Sequence, residues 1–498
     1  MPKLSNHVAG RRPSAIRNAG SKFAERKDGC EAVNVAIGNV SLPMHPAMIE
    51  RLNNLDRPDS PFCGGVVCYA PTVGMPEARQ AFANVLECSG FNVEKLHIQI
   101  TDGGSQGMEL LMTGCCGDIG QEDRPVLLVD AAYTNYRSFA QRLNRRVVSM
   151  ARRLDSSGHF NLPSLHEIEK IIVKEQPSAL VVIPYDNPTG QLYTHQMMVD
   201  FAKLCVKYDL WFISDEAYRE LHYVDGVDSP ISVWGITEEE VPGITGHRVS
   251  LETTSKAWNG CGLRVGALIT DSEELHKRLV AENTVNLCTN TIGQWIFGAI
   301  AHLNSEEIHA WFNKQRRYYK PLMQNFNRDM RQALPGVVVS RADASLYEVV
   351  DFREIVNEKF NTDDFVVWCA SEGYVEREGK KVTLLTAPMA EFYNVPKLED
   401  NLGRTQLRVA SNKWSVICSN WARVKVFCKC LGPVASAVIN GKLISVVVWF
   451  EREIFAFSAA SRSLCKAMLS FERSIPVSAL NCSISQFTTQ RSQSSPPR

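Results

Sequence analysis

The sequence predicts an α/β protein that combines a large, mostly parallel sheet with a smaller α+β unit. Two patterns support this prediction. Short apolar runs bounded by turns recur between residues 126 and 269, and amphipathic helix-like segments separate several of them. Continuous apolar runs are typical of strands that are buried on both faces. Alternation of such strands with helices indicates a parallel sheet that is covered by helices.

The apolar runs set the order of the predicted elements. An amphipathic segment at 195–208 predicts a helix just ahead of the apolar run at 210–213. A charged segment at 305–335 predicts a long helix. Residues 336–350 and 382–387 follow this helix and are assigned to the smaller mixed unit. The runs predicted to form buried strands are 126–129, 179–183, 210–213, 249–251 and 265–269.

Composition argues against several classes of protein. Hydrophobic residues make up 45% and charged residues 22% of the 498 residues, which is normal for a globular chain with a large core. The net charge is zero, so it indicates neither a nucleic-acid nor a membrane partner. No apolar run approaches the roughly 18 to 20 residues that span a bilayer. The 15 cysteines are irregularly spaced, which favours reduced thiols in a cytoplasmic protein without a metal site.

The two ends of the chain differ from the middle. The sequence before Glu25 has no acidic residue and carries Arg11, Arg12 and Arg17, a pattern that a transit peptide also shows. Residues 411–498 carry 11 Lys and Arg against 3 Asp and Glu, and hold 5 of the 15 cysteines. This shift predicts a boundary near residue 410. The tail is interpreted either as aberrant sequence from a shifted frame or unspliced junction, or as a genuine extension.

Three polar segments follow buried strands in the middle of the chain. Ligands of α/β proteins bind outside the carboxyl ends of the strands, so these segments are expected to lie close together. They read Asn187-Pro188-Thr189-Gly190, Asp215-Glu216-Ala217-Tyr218 and Thr253-Thr254-Ser255-Lys256.

Lys256 is the central candidate of this group. A lone lysine is usually a solvated surface residue, but the neighbouring hydroxyls of Thr253 and Ser255 favour a binding site here. An amine that forms an imine must be partly neutral, which a site that lowers its pKa promotes. Arg264, eight residues further on, supplies a fixed cation suited to a phosphate group.

Asp215 ends an apolar run, so its carboxylate is expected to face the crevice at the strand tip. There it would keep the pyridine nitrogen of a bound cofactor protonated. A carboxylate in this position also serves as a helix N-cap, which is the alternative. Tyr218 and Asn187 are predicted to contact the phenolic oxygen of the same ring. Taken singly, a tyrosine is more often a core residue, and Asn-Pro-Thr-Gly is only a turn.

A glycine-rich segment at 102–107 precedes a helix-like apolar run at 108–112. Backbone N–H groups at the start of a helix bind phosphate, and Gly104, Ser105 and Gln106 are the predicted contacts. Tyr133 follows the first strand and is predicted to stack on the cofactor ring, with an ordinary buried tyrosine as the alternative. A lysine, an acid and a phosphate site in this order predict pyridoxal 5'-phosphate as the cofactor.

On these residues the chain resembles the fold-type-I pyridoxal-phosphate enzymes, in particular the class I aminotransferases related to aspartate aminotransferase. The likeness covers about residues 10–410, and the segment from Thr253 to Gly266 is similar to the lysine signature of the family. The resemblance implies a seven-stranded sheet domain at 45–300 and a small domain at 301–410. Residues 1–44 are then the N-terminal arm and the start of the small domain, which explains the early arginines.

The resemblance also assigns residues outside the three segments. Tyr69 looks like the tyrosine that contacts the cofactor phosphate of the neighbouring subunit, which implies a homodimer with shared active sites. Gly38 resembles the glycine turn beside the substrate. Arg408 matches the arginine that binds the substrate α-carboxylate, with Asn187 nearby; taken alone it would be a solvated charge.

The function implied by the resemblance is transfer of an amino group between an L-amino acid and a 2-oxo acid such as 2-oxoglutarate. Lys256, Asp215 and Tyr218 are the implied catalytic residues, and an aspartate-like substrate is the first candidate. Ser105 stands where some relatives carry a lysine for a distal carboxylate, which argues against strict aspartate specificity. Two alternatives stay open: a lyase or synthase of the same fold (a C–S lyase or an aminocyclopropane-carboxylate synthase-like enzyme), and a non-catalytic relative.

Overall fold

The fold is taken from a computed structural model, which describes residues 2–227, 229–377 and 379–410. The predicted tail at 411–498 lies outside the described residues. The α-helices are α1 Asn6–Ala9, α2 Ala15–Ala24, α3 Pro46–Asn53, α4 Pro76–Cys88, α5 Gly103–Cys115, α6 Asn135–Arg142, α7 Leu165–Glu175, α8 His195–Tyr208, α9 Glu273–Asn283, α10 Thr291–Gly298, α11 Ser305–Ala333 and α12 Thr362–Ser371.

The β-strands alternate with these helices in the first part of the chain and cluster in the last part. They are β1 Glu31–Asn34, β2 His97–Thr101, β3 Val126–Asp130, β4 Val147–Ala151, β5 Arg153–Leu154, β6 Phe160–Asn161, β7 Ala179–Val182, β8 Trp211–Asp215, β9 Arg248–Thr253, β10 Gly266–Thr270, β11 Val338–Val339, β12 Tyr347–Asp351, β13 Val375–Arg377, β14 Lys380–Leu385, β15 Ala387–Pro388 and β16 Gln406–Ala410.

Seven strands form the large sheet, in the order β2-β10-β9-β8-β7-β3-β4. The neighbours from β4 to β9 pair in parallel, whereas β10 is antiparallel to both β9 and β2. The prediction of a mostly parallel α/β sheet is thus confirmed, including its seven strands. The direction of β10 could not be read from the sequence, because an apolar run has the same pattern in either direction.

The local sequence accounts for several helix boundaries. Helix α8 begins and ends where the amphipathic segment predicts, and the side chain of Thr194 accepts a hydrogen bond from the Met197 N–H at its start. The predicted long helix is α11, which starts at an Asn304–Glu307 capping box. Helix α5 starts at Gly103, so the glycine-rich segment forms its first turn and does not precede it as predicted.

The described residues also form three smaller sheets, of which the smallest pairs β5 with β6 and the other two contain the last strands of the described chain. One has the order β11-β12-β16-β15, and the other joins β1 to β14 and β13. Strand β1 pairs in parallel with β14, and helix α2 packs against α12. The N-terminal residues therefore pack with residues from the far end of the described chain.

The large sheet directs the ends of six strands to one edge. All strands of this sheet except β10 run in the same direction, so their carboxyl ends meet there. The last residues of β8 and β9 are Asp215 and Thr253, and β2 leads directly into α5. Within the described residues, no helix is long and apolar enough to cross a membrane.

Candidate active site

Lys256 lies in the loop that follows β9, and its side chain is half-buried. Its Nζ donates a hydrogen bond to the carbonyl oxygen of Gly38, in the turn after β1. A methyl group at position 38 would lie 2.0 Å from the phenol oxygen of Tyr347. Glycine is therefore needed at this turn, because the lysine loop and a tyrosine of β12 approach it from two sides.

Asp215 lies at the carboxyl end of β8, as predicted. Its carboxylate accepts hydrogen bonds from the Tyr136 hydroxyl and, at 3.1 Å, from the Ala217 N–H. Burial raises the pKa of Asp215 to about 6, and the negative charge of Glu252 adds to the rise, whereas the two hydrogen bonds oppose it. An ionised carboxylate held in this position would be stabilised by a cationic partner.

Asn187, Tyr218 and Arg408 come together in the structure. Asn187 Nδ2 donates to the Tyr218 hydroxyl at 3.4 Å, and Arg408 Nη1 donates to Asn187 Oδ1 at 3.1 Å. The Tyr218 hydroxyl donates in turn to the hydroxyl of Tyr347 at 3.1 Å. The Arg408 guanidinium lies over the Tyr347 ring, 4.4 Å from its centroid.

Arg408 is 5% exposed and has donors in more than one direction. Its Nη2 donates to the Ala36 carbonyl oxygen at 2.6 Å. Its buried Nε has no hydrogen-bond partner within the described part of the chain. A buried guanidinium with an unused donor can accept an anionic ligand, since a buried unpaired polar group is costly.

The first turn of α5 meets the lysine loop where β9 pairs with β10. Gly266 pairs with Thr253 in register, and a methyl group on Gly266 would lie 2.9 Å from the Gly104 nitrogen. A methyl group on Gly103, whose φ is +68°, would lie 2.5 Å from Arg264 Nη2. The glycines therefore let the helix N-terminus and the Arg264 guanidinium approach each other.

Hydroxyl groups complete this part of the site. Thr253 Oγ1 and Ser255 Oγ are hydrogen-bonded at 2.7 Å. The side chain of Asp102 does not cap α5, so the first N–H groups of the helix, including those of Gly104 and Ser105, remain available. Gln106 instead braces the turn, because its Oε1 accepts from the Asp102 N–H at 2.7 Å.

Tyr133 lies close enough to Asp215, Arg264 and Arg408 for their charges to change its pKa. Burial raises the pKa of Tyr133, and Tyr347 and Asp215 add to the rise, whereas the positive charges of Arg408 and Arg264 oppose it. The Tyr133 phenol therefore lies near all three of these charged groups. Its ring contacts Tyr136 edge-on, with 5.5 Å between centroids.

Behind Asp215 lies a buried ionic cluster that the sequence did not indicate. Arg219 is 2% exposed, and its Nη2 and Nε donate to the Glu252 carboxylate at 2.6 and 3.1 Å. It also forms an ion pair with Glu216. The pKa of Glu216 is raised by burial and by the charge of Glu252, against the opposing charge of Arg219. Two carboxylates thus share one guanidinium directly behind the site.

Three residues of the site were missed by the sequence interpretation: Tyr136, Tyr347 and Arg219. Tyr136 is the second tyrosine of the segment that marked Tyr133, so its position was visible but its role was not. Tyr347 is separated from the lysine loop by about 90 residues, and nothing in its local sequence marks it.

Unlike most of the predicted site, Tyr69 is 79% exposed.

The residues present fit pyridoxal phosphate. An amine lies on one side, a carboxylate lies at a strand tip, and uncapped N–H groups, two hydroxyls and a guanidinium form an anion site. The absence of side chains at Gly103 and Gly266 lets Arg264 and β10 approach the first turn of α5, which larger residues would prevent. The buried Arg408 is hydrogen-bonded to Asn187, which is hydrogen-bonded to Tyr218, and its Nε has no partner within the described residues.

Comparison with known proteins identifies the family. The sequence profile of the family "Aminotransferase class I and II" matches residues 32–385. Aspartate/prephenate aminotransferase of Thermus thermophilus is 26% identical over 324 residues, which is 64% of this chain and 77% of that protein. Aromatic-amino-acid aminotransferase 1 of Thermococcus litoralis is 25% identical over 297 residues, 58% of this chain and 67% of its own length.

The fold has the same relatives. A single mutant of Thermus thermophilus aspartate aminotransferase superposes with a TM-score of 0.69 at 20% identity, covering 86% of this chain and 100% of that one. The profile match extends over well more than half of the chain and includes the lysine loop and the strand-end acid. The chain therefore belongs to the class I and II aminotransferases, which are transaminases that depend on pyridoxal phosphate.

Proposed function

We propose that this transaminase moves an amino group between an L-amino acid and a 2-oxo acid such as 2-oxoglutarate, with Lys256 as the central catalytic residue. The observation that carries the proposal is the chain of hydrogen bonds from Arg408 through Asn187 to Tyr218. It links a buried cation suited to a carboxylate with the residues predicted to hold the cofactor. Bound pyridoxal phosphate supplies an aldehyde that bonds to amines and a ring that withdraws electrons.

Lys256 is proposed to act twice. Its Nζ is the amine that holds the cofactor at rest, and once released it moves a proton from and to the substrate Cα as general base and acid. The Gly38 carbonyl keeps the Nζ in the mouth of the site by accepting its hydrogen bond. This contact also positions the lysine beside the turn that we assign to the substrate.

The other residues hold and orient the reactants. Asp215 is proposed to pair with the protonated ring nitrogen, and Asn187 and Tyr218 to bind the ring oxygen. Tyr133 covers the ring face. The phosphate group is assigned to the first turn of α5 and the lysine loop, with the contacts Gly104, Ser105, Gln106, Thr253, Ser255 and Arg264.

Arg408 is the proposed ligand of the substrate α-carboxylate. Its buried Nε lacks a partner in the described residues, and the Tyr347 ring fixes the plane of the guanidinium. A planar fork of donors suits a planar carboxylate and would orient the substrate Cα toward Lys256. The aspartate-like substrate is our first candidate, in line with the Thermus relative, whose name specifies aspartate and prephenate.

A homodimer with shared active sites is also proposed. Around Tyr69 the surface carries large exposed apolar side chains, and Thr72 Oγ1 donates to the Leu287 carbonyl oxygen at 2.8 Å, which joins two of these segments. Apolar groups clustered on a surface favour burial against a partner. The exposed fractions are 62% for Val66, 56% for Val67, 79% for Tyr69, 81% for Val285 and 54% for Leu287.

The domain division and the location in the cell belong to the proposal as well. Helix α2 packs against α12, and the Ala15 N–H donates to Glu391 Oε1 at 3.3 Å, which supports an N-terminal arm rather than a transit peptide. We therefore assign residues 1–44 to the arm and small domain, 45–300 to the large domain and 301–410 to the small domain. A cytoplasmic location is tested by imaging a fusion of residues 1–30 to a fluorescent protein, where organellar signal would contradict it.

The central test compares the wild type with Lys256→Ala. The wild type should bind pyridoxal phosphate with absorbance in the near-ultraviolet to visible range and convert 2-oxoglutarate to glutamate with an amino donor. The variant should lose that absorbance and transaminate at least about 10³-fold more slowly. A variant that still transaminates at the wild-type rate would overturn the assignment. Release of ammonia and pyruvate without a new amino acid would instead indicate a lyase.

The shared site is tested by mixing two inactive or weakened variants. Lys256→Ala and Tyr69→Phe chains are combined, and hybrid dimers are allowed to form. If each site uses Tyr69 from one chain and Lys256 from the other, one site of the hybrid regains both residues, and activity rises above that of either variant. Activity that stays at the average of the two variants would contradict shared sites.

A further inference from the structure

Tyr347 completes a ring of four contacting side chains that includes Arg408, the proposed ligand of the substrate carboxylate. Arg408 donates to Asn187, Asn187 donates to Tyr218, and Tyr218 donates to Tyr347 at 3.1 Å. The Tyr347 ring then lies under the Arg408 guanidinium at 4.4 Å, which completes the ring. All four side chains are 3–5% exposed, so water does not compete strongly for these contacts.

The backbone fixes the position of Tyr347 from two directions. A methyl group on Gly190, in the turn after Asn187, would lie 2.2 Å from the Tyr347 carbonyl oxygen. A methyl group on Gly38 would lie 2.0 Å from its phenol oxygen. Both glycines therefore allow an approach that any larger residue would prevent, and they place the phenol between the Lys256 loop and Arg408.

The charged and titratable groups that face the Tyr347 phenol come from four elements. They are Lys256 in the lysine loop, Arg408 on β16, Tyr218 after β8 and Tyr133 after β3. Burial would raise the pKa of Tyr347, but the positive charges of Lys256 and Arg408 outweigh it and hold the pKa below its usual value. These charges stabilise negative charge on the Tyr347 oxygen, and it is this oxygen that accepts the hydrogen bond from the Tyr218 hydroxyl.

We propose that Tyr347 is a positioning residue of the transaminase. Its phenol oxygen accepts the hydrogen bond of the Tyr218 hydroxyl, and this contact limits how strongly Tyr218 donates to the ring oxygen of the cofactor. The inference rests on the proposed roles of Lys256 and Tyr218. A donor to the ring oxygen stabilises negative charge there and makes the nitrogen that joins Lys256 to the cofactor easier to deprotonate. Tyr347 therefore keeps a proton on that nitrogen by drawing the Tyr218 donor away.

The test is a spectrophotometric pH titration of the bound cofactor, which follows the protonation of the nitrogen joined to Lys256 and does not depend on turnover. Tyr347→Phe keeps the ring under Arg408 but removes the acceptor, so the Tyr218 proton turns to the ring oxygen. The midpoint of the titration should fall by about one pH unit, the size expected for one hydrogen bond to a charged group. Tyr218→Phe removes the donor itself and should raise the midpoint.

The double variant decides whether Tyr347 acts through Tyr218. If it does, Tyr347→Phe has no further effect on the midpoint in the Tyr218→Phe background. Phe392→Leu is the matched control, because Phe392 also packs against Arg408, at 5.1 Å, but has no hydroxyl. It should change the KM for the amino acid and leave the midpoint unchanged.

Several results would overturn the inference. They are an unchanged or higher midpoint in Tyr347→Phe, and a fall that persists when Tyr218 is already phenylalanine. If Tyr218→Phe itself leaves the midpoint unchanged, the proposed role of Tyr218 fails as well. A midpoint that moves in Tyr218→Phe but not in Tyr347→Phe refutes the role of Tyr347 alone.

Discussion

Replacing Asp215 with asparagine should stabilise the cofactor-free protein while it disables the enzyme. Burial raises the pKa of Asp215 from 3.8 to about 6, so keeping the group ionised at neutral pH costs the folded state about 3 kcal/mol. The side chain is partly exposed, which reduces this cost to about 2 kcal/mol. Asparagine avoids the charge, but its single oxygen serves only one of the two present donors, at a loss of about 1 kcal/mol. The expected gain is about 1 kcal/mol.

The sign of the pH dependence follows from the direction of the shift. A carboxyl group whose pKa is higher in the folded state binds more protons there than in the unfolded state between pH 4 and 6. The free energy of unfolding of the wild type should therefore fall as the pH rises through this window. The Asp215→Asn variant lacks this contribution, so its advantage should appear only above about pH 5.

Urea unfolding of the cofactor-free proteins at pH 4.5 and 7.5 measures both quantities. The variant should be more stable than the wild type at pH 7.5 and similar to it at pH 4.5. With cofactor and substrates, its kcat should fall by about 10² or more, since an electrostatic partner of the reacting group is lost. A variant that is less stable than the wild type at pH 7.5, or an advantage that is equal at both pH values, would refute the reasoning.

Three further substitutions test other parts of the site. Arg408→Lys loses the planar fork and should raise the KM for the amino donor about 10- to 100-fold with a smaller change in kcat; an unchanged KM would contradict its role. Gly103→Ala places a methyl group 2.5 Å from Arg264 Nη2 at a φ of +68°, so cofactor titration should show at least about tenfold weaker binding, while equal affinity would argue against this anion site. Arg219→Met leaves two buried carboxylates without their shared cation and should lower the free energy of unfolding by about 3–5 kcal/mol at pH 7.5, with partial recovery in acid; a loss below about 1 kcal/mol would show that the cluster is dispensable.

Much of the large domain could be predicted from the sequence, because its strands are continuous apolar runs and its helices are amphipathic. Helix α8 has the predicted bounds, and four of the five predicted runs lie within one or two residues of parallel strands. The start of α5 was placed too late, since glycine-rich residues usually indicate a loop. At Gly103, whose φ is +68°, the helix start requires glycine, because a methyl group there would lie 2.5 Å from the Arg264 guanidinium; a methyl group on Gly104 would meet no atom within 4 Å.

The chemistry-bearing residues of the site were predicted where they follow strands, because a strand end places its next residue at the ligand edge. Among residues that contact these groups from other elements, Gly38 and Arg408 were assigned only through the family resemblance, and Tyr136 and Arg219 were not predicted. Tyr136 contacts Asp215 from α6, and Arg219, in the turn after β8, contacts Glu252 on β9. Neither contact leaves a local pattern, since a tyrosine or an arginine at these spacings is equally compatible with a surface or a core position.

The substrate side of the site depends on the register of one strand pair. Strands β12 and β16 are antiparallel, with Tyr347 opposite Ala410 and Val349 opposite Arg408. Tyr347 and Arg408 are therefore diagonal neighbours on the same face of the sheet, which is how the phenol ring comes to lie under the guanidinium. A slip of one residue would move Arg408 to the opposite face, away from Asn187. The position of Arg408 is thus set by the pairing of two segments about 60 residues apart. No local sequence pattern specifies this pairing.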